Sequence, residues 1–463
     1  MRPYLYPLIL MACTDSKSFE DTWPEDPATT HDTGLEDSDI GEDTAVEEEE
    51  VEPALSRPAF YPDQQTHSPI NTYVAENIRE ITSFNPQLEE NLFIKIGASS
   101  TVSQNTLYCF ADDNIDLGEY LYLEESLSFF LTGDANGTTP FDRDTIAARI
   151  GHSAGWAISG DPSPVEEELA IVPGKFALVH YGTNDMGLGS TYAAAMPGFY
   201  ENMNDLIELL ISEGVVPIIT GITHRADSSN ADLWVPSYNS VIRGMAQSWQ
   251  IPFIDLWWET DPLDDWGLAG DGIHLNKYPY GTCLFTEEAL QYGYNIRNLI
   301  VLEALDRVRQ TAIEEITYID EGVPFVQGEG SPDIPFTVHT LPFNDFRDTQ
   351  QSPHDENDIY IECGSDADES GPEYHYTLIL EQETPIRAMV LDRGEVDIDI
   401  HLFEENNGTK TCLERAHRII ERTLPAGTYH LILDSWVDGD QNQRSGEYLL
   451  SIIACESNDP RCQ

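Results

Sequence analysis

Between about residues 88 and 310, short unbroken apolar runs alternate with segments whose apolar residues recur at helical spacing. No other feature constrains the fold as much. Leu92-Phe93-Ile94-Lys95-Ile96, Phe176-Ala177-Leu178-Val179-His180, Val215 to Thr220 and Pro252-Phe253-Ile254-Asp255-Leu256 read as strands. Their near-continuous apolar character fits a parallel sheet covered on both faces. Between them Phe199, Met203, Leu206, Ile207, Leu210 and Ile211 mark one helix, and Val241, Ile242, Met245 and Trp249 another. A final helix, about Asn295 to Ile316, offers Ile300, Leu302, Leu305 and Val308 to the core. Strand alternating with helix predicts a doubly wound α/β domain, assigned here to residues 59–317.

Residues 318–335 carry Gly322, Pro324, Gly328, Gly330, Pro332 and Pro335, a linker composition. Beyond it, residues 336–463 change pattern. Val396, Ile398, Ile400 and Leu402 alternate with Asp397, Asp399 and His401, and short strands recur at Tyr376 to Leu380, Tyr429 to Leu433 and Tyr448 to Ile453. Strands separated by turns such as Pro425-Ala426-Gly427-Thr428 predict a smaller all-β sandwich. Asp397, Asp399 and Asp434 have the carboxylate oxygens Ca²⁺ favours, but solvent-facing strand positions are the simpler expectation, and no metal is assigned.

Lys and Arg number 23 against 83 Asp and Glu, a formal net charge of −60. Such a surface repels phosphate backbones, which excludes nucleic acid as an expected partner. Residues 14–58 hold Glu47 to Glu50, many Asp, Thr and Pro, and few aromatics. They form an acidic tether that cannot bury enough apolar surface to offset its chain entropy. Residues 1–13 end in Leu10-Met11-Ala12-Cys13 behind a short apolar run and Arg2, which resembles a bacterial lipoprotein signal with Cys13 as the lipidated residue. This implies the cell envelope or exterior, with the membrane reached only through that anchor. The other six cysteines, an even set, suit disulfides in an exported chain. Domain membership pairs Cys109 with Cys283 and leaves Cys363, Cys412, Cys455 and Cys462 to one another. None has zinc-ligand spacing.

Three short segments carry chemistry. Gly97-Ala98-Ser99-Ser100 follows the first strand, Gly182-Thr183-Asn184-Asp185 follows the Phe176–His180 strand, and Asp271-Gly272-Ile273-His274 lies beyond the last strand. Alone, Gly-x-Ser is usually a turn, and Asn184-Asp185 a turn or cap. Together they supply a nucleophile, an oxyanion donor and an acid-held base. All fall at the carboxyl ends of strands, where open parallel sheets bind ligands.

With these blocks, residues 90–310 resemble the SGNH, or GDSL, esterase/lipase family. Gly97-Ala98-Ser99 matches its Gly-Asp-Ser block, Ile158-Ser159-Gly160-Asp161 its second block, Gly182-Thr183-Asn184-Asp185 its Gly-x-Asn-Asp block, and Asp271-Gly272-Ile273-His274 its Asp-x-x-His block. The resemblance implies a flavodoxin-like sheet, Ser99 as nucleophile, His274 as base and Asp271 as its orienting acid. It implies an oxyanion hole made by Ser99, Gly160 and Asn184, with Gly155 as the rival to Gly160, and no cofactor. Ala98 departs from the family Asp, which braces the nucleophile loop, so Ser99 is expected to be held differently. His152, His180 and His224 read as structural or substrate-side, and Trp257, Trp258 and Trp266 as packing. The C-terminal domain resembles a bacterial pre-peptidase C-terminal sandwich through Val396 to Ile400, Leu424 to Tyr429 and Leu433-Asp434-Ser435.

The expected activity is hydrolysis of carboxylic esters, with small acyl groups on carbohydrate or lipid-like alcohols as substrate, through an acyl-enzyme. A decayed, glycan-binding relative is the second reading, suggested by Ala98. An acyltransferase is the third.

Overall fold

The computed structural model of the chain describes residues 57–463; Cys13, the signal segment and nearly all of the tether lie outside them. Strands β1 (Glu89–Gly97), β2 (Gly174–His180), β3 (Val216–Thr220) and β4 (Phe253–Ile254) form a parallel sheet in that order. Residues 92–97 of β1 and all of β3 are buried, as two-sided helical cover requires. On the free side of β1, Ala148 pairs with Gly97 in parallel, and the Arg149 N–H donates to Gly97 O at 3.0 Å. The second extended segment along the chain therefore lies outside the first, and later strands add on the other side. That is the flavodoxin-like order, and its switch point lies at the carboxyl end of β1.

β4 is shorter than its apolar run suggests. Asp255 accepts the Trp258 N–H at 3.1 Å and starts the short helix Leu256–Thr260. Such caps favour a helix over continued extension. The helix Tyr192–Ser212 buries Phe199, Met203, Leu206, Ile207 and Leu210, and Val235–Ser248 buries Val241, Ile242 and Met245. The last helix, Gly293–Ala312, buries Ile300, Leu302, Leu305 and Val308 and ends four residues before the expected Ile316. It also buries Asn295, Arg297 and Asn298, whose side chains hold loop backbone: Asn295 donates to Gly281 O and Leu284 O, and Asn298 to Asn105 O and Thr282 O. This polar face was invisible to an apolar count.

Residues 318–335 contain no helix or strand. Beyond them, β5 (Phe336–Val338), β7 (Glu373–Leu380), β9 (Ile398–Asn406), β10 (Thr409–Ala416) and β12 (Gly427–Ser435) form a sheet in the order β10-β9-β12-β7-β5. β6 (Phe343–Asp348), β8 (Thr384–Asp392), β11 (Ile419–Leu424) and β13 (Glu447–Ala454) form the other, β11-β8-β13-β6. Ile398, Ile400, Leu402, Leu431 and Leu433 fill the core between them. The alternation along β9 is real, but its second face is not solvent-facing. Asp399, His401 and Asp434 are each at most 1% exposed. The β6–β7 connection covers them, with Tyr360 stacked on His401 at 3.6 Å between ring centroids.

Cys109–Cys283, Cys363–Cys412 and Cys455–Cys462 are disulfides. The sandwich packs on helix Val235–Ser248: Ser240 Oγ lies 2.8 Å from Ser451 Oγ, and Gln247 donates to Asn344 O at 2.8 Å. Fully buried Arg387 seals this contact. It donates to Ser237 Oγ (2.8 Å) and Asp459 Oδ2 (2.6 Å) and lies over Trp234 at 3.9 Å. No helix of the described residues is long and apolar enough to cross a membrane.

Candidate active site

The chain leaves β1 at Gly97, turns through Ala98 and enters the short helix Ser99–Val102. A side chain at Gly97 has no room: a Cβ there would lie 2.9 Å from His180 O and also against Thr101. Ala98 makes no side-chain cap bond. The turn is braced from the other side, because Ser100 O accepts Thr106 Oγ1 at 2.6 Å and Arg297 Nη1 at 2.9 Å.

Ser99 Oγ lies 2.8 Å from His274 Nε2, and His274 Nδ1 lies 2.7 Å from Asp271 Oδ2. The other Asp271 oxygen accepts the Ile273 and His274 N–H groups at 3.1 and 3.0 Å. The His274 ring, followed by those backbone donors, holds the Asp271 carboxyl down to about 2. It therefore stays ionised wherever an imidazole base is useful. Ser99, 175 residues from His274 in the chain, is brought into its reach by the sheet edge.

The third block forms the opposite wall. Gly182 adopts φ +125°, which favours glycine, and a Cβ would approach Ile222 Cγ2 to 2.9 Å. Buried Asp185 fixes the loop by accepting the Gly182 N–H at 3.0 Å and the Ala154 N–H at 2.9 Å. Asn184 Nδ2 donates to His152 O at 3.0 Å. A cleft of about 190 Å³ is lined by Ser99, Asn184 and His274 together with Ile150, Gly151, Tyr181 and Ile273.

Gly160 is absent from this lining and is exposed. Gly155 faces Asn202, whose Oδ1 would be 2.9 Å from a Cβ there, and serves helix packing. Besides Gly182, the cleft is lined by Gly151, φ +74°. Sequence reading missed it because Ala147–Arg149 pairs with β1 too briefly to stand out as a strand. Ile146-Ala147-Ala148 running into Ile150-Gly151 was the available signal.

Arg225 was missed too. Its Nη1 donates to Thr183 O at 3.1 Å, while Nε and Nη2 grip Asp227 at 2.8 and 3.0 Å. The Asp227 N–H in turn donates to Gly272 O at 3.2 Å. The Asn184 loop and the Asp271–His274 loop are therefore tied together behind the cleft.

His180 lines the floor of the cleft. Burial, with Arg297 nearby, holds its imidazole well below its usual range and thus neutral. His152 packs edge-on against Trp156. His224 lies between Asp232 and Asp261, each 2.9 Å from a ring nitrogen, and stacks on Trp266. Burial opposes its charge, yet the two carboxylates raise its pKa. Trp257 packs on the same ring, and Trp257, Trp258 and Trp266 lie outside the cleft lining.

Residues 133–280 match the model of the GDSL-like lipase/acylhydrolase family. The match spans Asn184, Asp271 and His274 and begins after Ser99. No curated protein matches the chain. Among solved structures, the chain is similar to a GDSL-like lipase from Bacteroides thetaiotaomicron (16% identity, 50% of this chain and 98% of that one, TM-score 0.30). It is also similar to a two-domain esterase active on acetylated mannans (12%, 84% and 98%, TM-score 0.31). The pre-peptidase C-terminal domain of a Bacillus anthracis collagenase is a further match (16%, 24% and 89%, TM-score 0.16). The family match, confined to residues 133–280 of the α/β domain, makes that segment similar to the GDSL-like lipases and acylhydrolases.

Proposed function

We propose that this chain hydrolyses carboxylic esters of small acyl groups through a covalent acyl-enzyme on Ser99. One observation carries the reading: the unbroken relay from Ser99 Oγ through His274 to Asp271, at 2.8 and 2.7 Å. In this reading His274 Nε2 takes the Ser99 proton as Oγ attacks the ester carbonyl. Asp271 keeps the Nδ1–H tautomer and stabilises the imidazolium. The tetrahedral oxyanion is met by the Ser99 N–H, the Asn184 side-chain amide and, in place of Gly160, the backbone of Gly151. The imidazolium then protonates the leaving alcohol. A water activated by the same ring releases the acid and regenerates Ser99. The decayed-relative reading predicts no turnover of any ester by the wild type.

The cleft volume of about 190 Å³ supports an acetyl-sized acyl group over a long chain. The alcohol is proposed to be a carbohydrate hydroxyl. Three disulfides support an exported protein, and Cys13 is proposed as its lipid anchor. The test is hydrolysis of a p-nitrophenyl ester series from acetate to decanoate, alongside acetylated oligosaccharides, by wild type and Ser99→Ala. Highest kcat/KM on acetyl esters, abolished in Ser99→Ala, supports the reading. A preference for decanoate contradicts its acyl assignment. Acyl transfer to an added alcohol in place of hydrolysis would reassign the second step.

A further inference from the structure

The sandwich holds a cluster of metal-binding side chains that ester hydrolysis does not use. β7 begins Glu373-Tyr374-His375, and residues two apart on a strand share a face. His375 Nε2 lies 2.8 Å from Glu373 Oε1. The β6–β7 connection brings two more groups to that face. Glu356 Oε2 lies 3.9 Å from His375 Nε2, and Glu356 Oε1 lies 3.4 Å from His354 Nδ1. Donor atoms of Glu356, Glu373 and His375 all fall within 4.8 Å of one another. A tetrahedral ion with bonds of about 2.0–2.1 Å holds its donors roughly 3.3 Å apart, so the trio needs only small adjustment.

Charge provides a second, independent observation. Glu373 and Asp434 are both fully buried and hydrogen-bonded to each other. Besides His375 on Glu373, their partners are neutral: Asn357 Nδ2 donates to Glu373 Oε1 at 2.7 Å, Tyr360 OH to Asp434 Oδ2 at 2.6 Å, and the Ser435 N–H to Asp434 Oδ1 at 2.7 Å. Among the described residues no Lys or Arg pairs with Glu356, Glu373 or Asp434. The neighbouring buried pair Glu369 and Asp399 is treated differently, since Arg415 bonds both. A carboxylate buried without a Lys or Arg partner is costly. The His375 ring is 4% exposed and its Nδ1 has no partner among the described residues.

We propose that Glu356, Glu373 and His375 form a divalent-metal site that clamps the β6–β7 connection onto β7. The mixed nitrogen and oxygen donors suit Zn²⁺, with His354 orienting Glu356 and a water or His354 in the fourth position. Ca²⁺, which collects six to eight oxygens, fits this set poorly. Glu356, with 51% side-chain exposure, opens the site to solvent.

The test uses the full chain, stripped with a chelator and titrated with Zn²⁺ and, separately, Ca²⁺, by calorimetry and thermal unfolding. The expected result is tight binding of Zn²⁺ with a raised unfolding midpoint. Glu356→Gln, at an exposed position that folding tolerates, weakens Zn²⁺ binding by at least about tenfold and removes the midpoint shift. His375→Gln does the same. Ester hydrolysis by Glu356→Gln stays at the wild-type rate. Unchanged Zn²⁺ affinity in Glu356→Gln, no Zn²⁺-dependent rise in the midpoint, or Ca²⁺ bound as tightly as Zn²⁺ overturns the proposal.

Discussion

Asp185 offers a quantitative check on how the cleft is built. Its carboxylate is 1% exposed, and each oxygen accepts one backbone N–H: Ala154 at 2.9 Å and Gly182 at 3.0 Å. Asp185→Asn keeps the shape but exchanges one acceptor for a donor, so one of those N–H groups faces another donor. A buried unpaired donor costs about 1–3 kcal/mol, so Asn should destabilise the fold by about 2 kcal/mol. Ala orphans both donors, a gross loss of about 2–6 kcal/mol. Part of that loss is returned, because burial raises the Asp185 carboxyl pKa and removing it relieves that strain on the charged form. Urea unfolding followed by fluorescence measures the difference. Activity should fall as well, since the Gly182 N–H anchors the loop that presents Asn184. Asp185→Asn with wild-type stability and full activity would refute the argument that this carboxylate holds the loop.

Other predictions follow from single contacts. Asn184→Ala should lower kcat about 10²–10³-fold with KM little changed, read by steady-state kinetics on an acetyl ester. Cys109–Cys283 closes a 174-residue separation and Cys455–Cys462 a 7-residue one. The chain-entropy relation gives about 5 against about 2 kcal/mol, so double Ser variants should lose stability in that order on denaturant unfolding. Lys95 is buried, donates to Phe141 O at 2.6 Å, and burial lowers its ammonium pKa to about 7. From pH about 7 to about 10 the unfolded chain binds a proton the folded one lacks, so this group makes stability rise with pH over that window. Lys95→Met should flatten that part of the stability profile.

Legibility in the sequence varied with the kind of force involved. Apolar runs marked β1, β2 and β3 because burial on both faces leaves an unmistakable pattern, and the motifs at their ends fell on the cleft. The residues 97–100 and 271–274 meet because the sheet aligns strand ends, which needs only the order of strands. What escaped was set by hydrogen bonds between distant backbone and side-chain groups. Gly151 enters the cleft through a short pairing with β1 that no periodicity signals, and Gly160 took its place in the reading. Asp255 stopped β4 by capping. Arg225 and Arg297 act through carbonyls of Thr183 and Ser100, partners that no motif encodes. Asp399 and Asp434 looked solvent-facing because strand alternation reports which face a residue occupies, while the cover over that face comes from a separate, irregular segment.

Ester hydrolysis by this chain requires an activated Ser99. Its most direct test is labelling of the folded protein with a fluorophosphonate, mapped by peptide mass spectrometry in wild type, Ser99→Ala, Ser100→Ala and His274→Ala. An activated Ser99 gives one adduct, on Ser99, retained in Ser100→Ala and lost in the other two variants. No adduct on the folded wild type, or an adduct that survives Ser99→Ala, would contradict it.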